Sequence, residues 1–465
     1  MLMAGAGRSD ITPPVGIAHA GWGAQTHQVS QGNDMPLYVT ALALSNGETR
    51  TAIVDIDIAI LTVDQDTDIR AQISDRTGIP PQNLRLSYSH THSAPVTFSD
   101  WLTEGMDLVE QWVSELPGKC VDAVVEAVAA QVQAVPLFGR GECDININRR
   151  PADDRGELFT GRNWDGFVDH SVEVVGLDTP EGEPIATLVN YACHPTIMGH
   201  PNSWVTPDFP GPMRWVVEQT VGGTCLFLQG ASGNQGPVNG FTGDLAVYRK
   251  AGATLGAEAS RVRLTSDPYQ REEKLVEILP SGADLGIYED VPIEEPDDTL
   301  AVSWVEFGLP CKDVLPLDEA QRAYDQQASE LEGIRASGAS GDDIQAAVSL
   351  VMRANIALNV SKNNARHRVG DTITINAQAI RIGGAVLVSM PVEPFAELGA
   401  QIKERSVSEN TVFSGFSNGH YAYLPTDMAH EDGGYEVRVT PFAAGAEGIA
   451  VDACLEAIEQ VWAAE

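Results

Sequence analysis

The sequence predicts an α/β fold in which mixed β-sheets are covered by helices. Two observations carry that prediction. Runs rich in β-branched residues alternate along the chain with stretches of helical periodicity, the pattern of sheets screened by helices. Several of those runs are continuously apolar rather than alternating, as strands buried on both faces are. The 465 residues, 43% hydrophobic, supply ample core for one large domain.

In chain order, strand character falls at 51–61, 84–88, 171–177, 185–191, 224–228, 372–382 and 385–390. Helical patterns lie between and after these runs, at 108–135, 212–221, 244–262 and 394–405, with a closing helix at 455–462. The stretch 267–315 is acidic and Pro-containing, with EDVPIEEPDD at its centre. Two charged, Ala-rich helical segments follow at 317–335 and 342–359, separated by the turn ASGASG. The reading is a single domain over 1–465 with an acidic, helical excursion at about 267–365. That excursion is a solvated insertion or, as the alternative, a lid.

Charge excludes some partners. With 29 Lys+Arg against 65 Asp+Glu the net charge is −36, which repels nucleic acid and anionic lipid surfaces. A small-molecule substrate is the expectation, without nucleic acid and without stable membrane association. The first residues lack a basic segment followed by an apolar one, and no apolar run approaches the roughly 18 residues of a membrane span. Six cysteines without paired spacing do not form a disulfide framework, and Cys193 and Cys225 fall inside apolar runs as buried thiols. A cytoplasmic location is therefore expected.

The strongest local signal is LSYSHTHSAP, in which a strand delivers His90 and His92 at its C-terminal end. Residues two apart on a strand share a face, so both imidazoles point into one place. A second apolar run, IATLVNYACHPT, ends in His194. Ligands gather at the carboxyl ends of strands in α/β sheets, and neutral imidazole is a common zinc ligand. A third run, AVLVSMPVEP, leads to Glu393. Its carboxylate either completes a His, His, Glu zinc set with a position left for water, or serves as a first-turn acid of the following helix. Asp208 reads as a helix N-cap or a partner of the site, and Asp55 and Asp57 as groups that orient the histidines. His200, His420 and His430 are individually uninformative, although His420 is close enough in sequence to Tyr423 to line the site. Ser232, in QGASGN, invites a nucleophile reading, but Asn234 stands where the G-x-S-x-G elbow needs its last Gly.

At this point a family resemblance becomes visible. AGAGRSDITPPVG, SHTHSAP, ININRRP, MPVEPF and SNGHYAYLPTDMAHEDGGYE occur in the order and spacing of the catalytic domain of the neutral, non-lysosomal ceramidases. The chain resembles that domain from end to end, which implies a neutral-ceramidase-like fold. The resemblance implies that His90, His194, Glu393 and Tyr423 hold Zn2+. It further implies that His92 and Tyr435 stabilise the tetrahedral intermediate and move protons, and that Arg149 binds the substrate head. Where the family carries a Ser important for ceramide cleavage, this chain has Gly236.

Together these imply a zinc-dependent hydrolase that uses a metal-activated water to cleave an amide bond, in a small soluble substrate rather than ceramide itself. A zinc esterase, lactonase or sugar-directed hydrolase on the same scaffold is the alternative. A non-catalytic zinc-binding protein is a further one.

Overall fold

The computed structural model describes residues 1–19, 22, 24–97 and 102–463. Three mixed sheets form the body. From edge to edge, the first runs Leu84–Tyr88, Arg50–Ile56, Tyr38–Ser45, Met3–Asp10, Val132–Gln133. The second runs Thr224–Gln229, Pro184–Tyr191, Ser171–Asp178, Val135–Glu142. The third runs Leu300–Pro310, Thr372–Ile382, Ala385–Ser389, Asn410–Ser414.

Each sheet is antiparallel apart from one parallel pair, and each of those pairs is joined through a helix. Arg50–Ile56 and Leu84–Tyr88 connect through helix Val63–Thr77. Pro184–Tyr191 and Thr224–Gln229 connect through Pro210–Thr220, and Ala385–Ser389 and Asn410–Ser414 through Ala396–Arg405. Parallel neighbours need such a crossover, which places helices on the faces and buries the strands on both sides. The inner faces meet in one cluster with Leu42 and Ile53 from the first sheet, Leu188 and Leu226 from the second, and Ile380 and Leu387 from the third. The helices lie outside, Met106–Ala129 over the first sheet and Ala446–Trp462 over the third. The α/β class with helix-covered mixed sheets is thus the observed architecture.

Some boundaries differ from the sequence reading. The helix read over 108–135 ends at Ala129, because the β-branched Val132 and Val135 favour strands and Pro136 does not favour a continuing helix. Within 267–315 the chain forms an exposed hairpin of Arg271–Leu279 and Leu285–Pro292. Strand Leu300–Pro310 then pairs along its whole length with Thr372–Ile382, so part of this acidic stretch belongs to the third sheet. Helices Leu317–Ala336 and Gly341–His367 pack chiefly on each other. Contrary to the sequence reading, Gly341–His367 is by length and composition apolar enough to cross a membrane. All six cysteines are free, with Cys193 and Cys225 buried.

Candidate active site

The parallel strand pairs aim three side chains at one point. His90 follows Leu84–Tyr88, His194 follows Pro184–Tyr191, and Glu393 follows Ala385–Ser389. Tyr423 arrives beside Glu393 because 393–394 and 423–424 pair as short parallel strands. All four residues are buried, none more than 5% exposed.

The convergence of His90 and His92 has a different cause from strand alternation. The strand ends at Tyr88, and His90 lies beyond it with φ 61°, in the left-handed region. Phe416 and Ala422, with φ 51° and 69°, share this strained conformation. Phe416 packs its ring 4.4 Å from that of His90, and the Ala422 carbonyl accepts from the Glu393 N–H at 2.9 Å. Each non-glycine residue held this way costs about 1–3 kcal/mol and persists only where the surroundings dictate it.

The imidazoles are locked by the main chain. His90 Nδ1 donates to the Ala59 carbonyl and His194 Nδ1 to the Ser232 carbonyl, each at 2.7 Å. Those carbonyls follow the other strand of each parallel pair, so one strand end supplies the imidazole and its neighbour supplies the brace. With Nδ1 as donor, the Nε2 lone pair of each neutral ring faces inward. Burial, opposed in part by Glu393, pushes His90 well below the usual imidazole range, and burial also lowers His194. His92 is pushed down to about 3 by burial and by His194.

The donor atoms cluster tightly. Glu393 Oε2 lies 3.2 Å from His194 Nε2 and 3.6 Å from His90 Nε2. This buried oxygen has no hydrogen-bond partner. The other carboxylate oxygen, Oε1, accepts from His420 Nε2 at 2.9 Å. Burial raises the Glu393 carboxyl, but His90, His194 and His420 outweigh that and hold it well below the usual carboxylate range. The Tyr423 hydroxyl is 3.4 Å from His194 Nε2, and the two rings stack at 6°. His92 Nε2 is 3.2 Å from His90 Nε2, and the ligand atoms of His90, His92 and His194 all lie within 4.8 Å of one another. Inward lone pairs around an ionised carboxylate are a donor set that fits a divalent cation such as zinc.

Tyr435, 38% exposed, stands at the rim with its ring 5.7 Å from that of Tyr423, and desolvation of its hydroxyl together with the charge of Glu393 raises that group to about 12. Arg149 donates through Nη2 to the Tyr423 hydroxyl and through Nε to Glu436, both at 3.0 Å. Two of its nitrogens are therefore directed at protein groups, one of them on the tyrosine of the cluster. Arg149 is positioned where a short strand 146–148 pairs with 235–237, and a Cβ added at Gly236 would first meet the Arg149 side chain at 3.6 Å. Glycine there leaves open space beside Arg149.

Several groups had no sequence signal, or a misleading one. His420 grips Glu393, and only its nearness to Tyr423 in sequence hinted at this. Trp22 packs its ring 5.0 Å from that of His92, with Phe241 edge-on at 5.7 Å. Asp55 and Asp57 do not orient the histidines: each binds Arg214, at 2.6 and 2.5 Å. Burial makes two neighbouring carboxylates demand a cation of their own, and the arginine of helix Pro210–Thr220 supplies it. Asp208 accepts from the N–H groups of Phe209 and Met198 at the start of that helix. The Ser232 hydroxyl is fully buried and accepts from Gln229 at 2.5 Å.

Comparison with known proteins fits this arrangement. Neutral ceramidases A and B of Dictyostelium discoideum are 29% and 30% identical to the chain over 146 residues. Those matches cover 30% of this chain and only 20% of each relative. The neutral ceramidase structure from Pseudomonas aeruginosa superposes with a TM-score of 0.66 at 18% identity, covering 99% of this chain and 75% of that one. A ceramidase structure described as complexed with C2 gives the same TM-score at 17% identity. Residues 2–243 match the family described as neutral/alkaline non-lysosomal ceramidase, N-terminal, and the chain belongs to that family.

Proposed function

We propose that the chain is a zinc-dependent hydrolase that cleaves the amide bond of a small acyl amide. The observation that carries this reading is the unpartnered, buried Glu393 Oε2 facing the Nε2 atoms of two braced imidazoles. A protonated histidine would also satisfy that oxygen, but burial pushes His90 and His194 away from the charged form. A cation held by the same two imidazoles is the partner this reading assigns to that oxygen. His90, His194, Glu393 and Tyr423 would hold Zn2+, which when bound supplies a Lewis acid able to polarise a carbonyl and lower the pKa of water from about 15.7 toward 7.

The chain's own groups do the rest. His92 and Tyr435 lie beside the cluster as neutral hydrogen-bonding groups: burial lowers His92, and desolvation of the hydroxyl with the nearby Glu393 raises Tyr435. They would donate to a developing oxyanion, where one donor is worth about 3–4 kcal/mol in other enzymes. Arg149 acts on the tyrosine: its guanidinium donates to the Tyr423 oxygen and would steady negative charge there with zinc bound, while Glu436 fixes the arginine. Trp22 and Phe241 shield the His92 side from water.

Metal content by elemental analysis, beside turnover of N-acyl amides, tests the reading. His90→Ala and His194→Ala should lose zinc. His92→Ala should keep zinc and lose turnover. Zinc retained in both of the first two variants, or turnover that survives chelation, sinks the proposal.

A further inference from the structure

The hairpin of Arg271–Leu279 and Leu285–Pro292 stands off the body, rooted between the end of helix Leu245–Thr265 and strand Leu300–Pro310. Every residue of its two strands is exposed except the half-buried Val291. Its outer half is nevertheless apolar. Paired residues share a face, so Leu279, Leu285 and Ile287 lie on one side. Leu275, Ile278 and Tyr288 lie on the other, because a bulge between Leu275 and Glu277 shifts the register. A Cβ on Gly286 would meet the Tyr288 ring at 2.9 Å and Leu275 at 3.4 Å, which puts those two side chains together on that second face. The six side chains are 38–58% exposed.

A lone two-stranded hairpin is marginally stable in water, and soluble monomers rarely leave large contiguous apolar patches uncovered. This arm therefore calls for a partner that covers both faces. Its edges are poor templates for strand addition, since the bulge interrupts one strand and Pro292 ends the other. A lipid surface fits no better. The apolar residues form a belt below the apex, while the apex itself is a polar turn in which the Ser281 N–H donates to the Asp284 carboxylate. Insertion would drive Asp284 into the hydrocarbon ahead of the belt, at high cost.

The body beside the root offers a matching surface. Leu264, in the last turn of helix Leu245–Thr265, is 63% exposed, and Val132, on the edge strand of the first sheet, is 45% exposed. Both lie near the root. Leu264 closely precedes Asp267, which pairs with Arg271 at 2.6 Å, and Val132 leads to Pro136, which with Asp297 closes around Gly383. An arm and an apolar seat beside each other on one chain are what reciprocal contact about a two-fold axis requires. With its turn the hairpin spans 271–292, within the roughly 20–30 residues that one side of a standard interface contributes.

We propose that this arm joins two copies of the chain, each arm lying between the arm of the other copy and the surface around its Leu264 and Val132. The root is at the far end of the third sheet from the metal cluster: Leu300 pairs with Ile382, and Ile382 with Ala385, whereas Glu393 follows the opposite end of Ala385–Ser389. Pairing of the arms therefore leaves the candidate active site open.

Sedimentation velocity on the full chain, at physiological salt across the micromolar range, reads the association. Wild type should sediment as a dimer. Leu279→Ser/Ile287→Ser strips one face of the arm and Leu275→Ser/Tyr288→Ser the other, and each should weaken dimerisation about a hundredfold or more. Both variants should keep the wild-type far-UV circular dichroism, because these side chains lie outside the core. Hydrogen exchange should find 271–292 protected in wild type and fast in both variants. Two copies of net charge −36 repel each other, so added salt should tighten the dimer. Flotation with phosphatidylcholine vesicles tests the lipid alternative. A monomer throughout the range, a dimer of unchanged Kd in either double variant, association that weakens with salt, or vesicle binding by a monomer overturns the proposal.

Discussion

His420 offers the sharpest test of how the cluster is tuned, because it holds Glu393 without belonging to the proposed ligand set. Its Nε2 donates to Glu393 Oε1 at 2.9 Å, while Oε2 faces the imidazoles. His420→Ala frees the carboxylate to rotate away from the site. A hydrogen bond to a charged group contributes about 1.5–3 kcal/mol net. Here the loss should fall in the lower part of that range, since His420 borders a cavity and water can enter in its place. That agrees with the 10–100-fold loss of metal affinity typical when a ligand's hydrogen-bond partner is removed, or about 1.4–2.7 kcal/mol. The assay is competition for zinc against a chromophoric chelator, on wild type, His420→Ala and His420→Gln. Glutamine keeps a donor of similar reach and should recover part of the affinity. A zinc Kd in the alanine variant within twofold of wild type, with the fold intact, would show that Glu393 needs no such hold.

Three further outcomes follow from the geometry. Ser232→Ala should retain most turnover, because the hydroxyl is tied to Gln229 and only the main-chain carbonyl braces His194; complete loss of turnover with normal zinc content would favour a serine mechanism. Gly233→Ala should destabilise by about 1–3 kcal/mol in urea unfolding and weaken zinc binding, since its Cβ would sit 2.5 Å from the Glu393 carbonyl oxygen. Arg214→Leu should cost about 3–5 kcal/mol at pH 7, because it strands two buried carboxylates. Burial already raises Asp55 to about 6, against the pull of Arg214. A carboxyl raised on folding takes up protons that the unfolded chain does not, so its effect on stability becomes more favourable as pH falls through that value. Losing Arg214 raises it further, so the deficit should narrow between pH 7 and pH 5; a deficit independent of pH would refute the assignment.

Much of this arrangement was legible in the sequence, for identifiable reasons. The run 372–382 is apolar and β-branched enough to be fixed by local preference, and it forms the strand Thr372–Ile382. His90, His194 and Glu393 were visible because parallel strands end where ligands gather, and the structure brings all three together. Illegible were contacts that leave no side-chain signature, such as the carbonyls of Ala59 and Ser232, and contacts made through loops, such as Trp22 over His92. Asp55 and Asp57 misled because their strand-end position is that of a site residue. Which cation answers a buried acid depends on a helix from another sheet. The acidic stretch 267–315 hid a hairpin and the edge strand Leu300–Pro310 of the third sheet, because net charge describes solvation and not pairing.

The three-sheet origin of the cluster also sets when it can exist. His90, His194 and Glu393 lie far apart along the chain and come from different sheets, so no partly folded stretch carries the full donor set. Long-range contacts form late, after the loops between them have closed. A cation that needs all of these donors recognises only the finished body, and its binding free energy then counts fully toward the native state, about 4.1 kcal/mol at a thousand times Kd. Loading would therefore report on folding: a chain whose third sheet fails to dock lacks Glu393 and Tyr423 and keeps only the three imidazoles of the donor set.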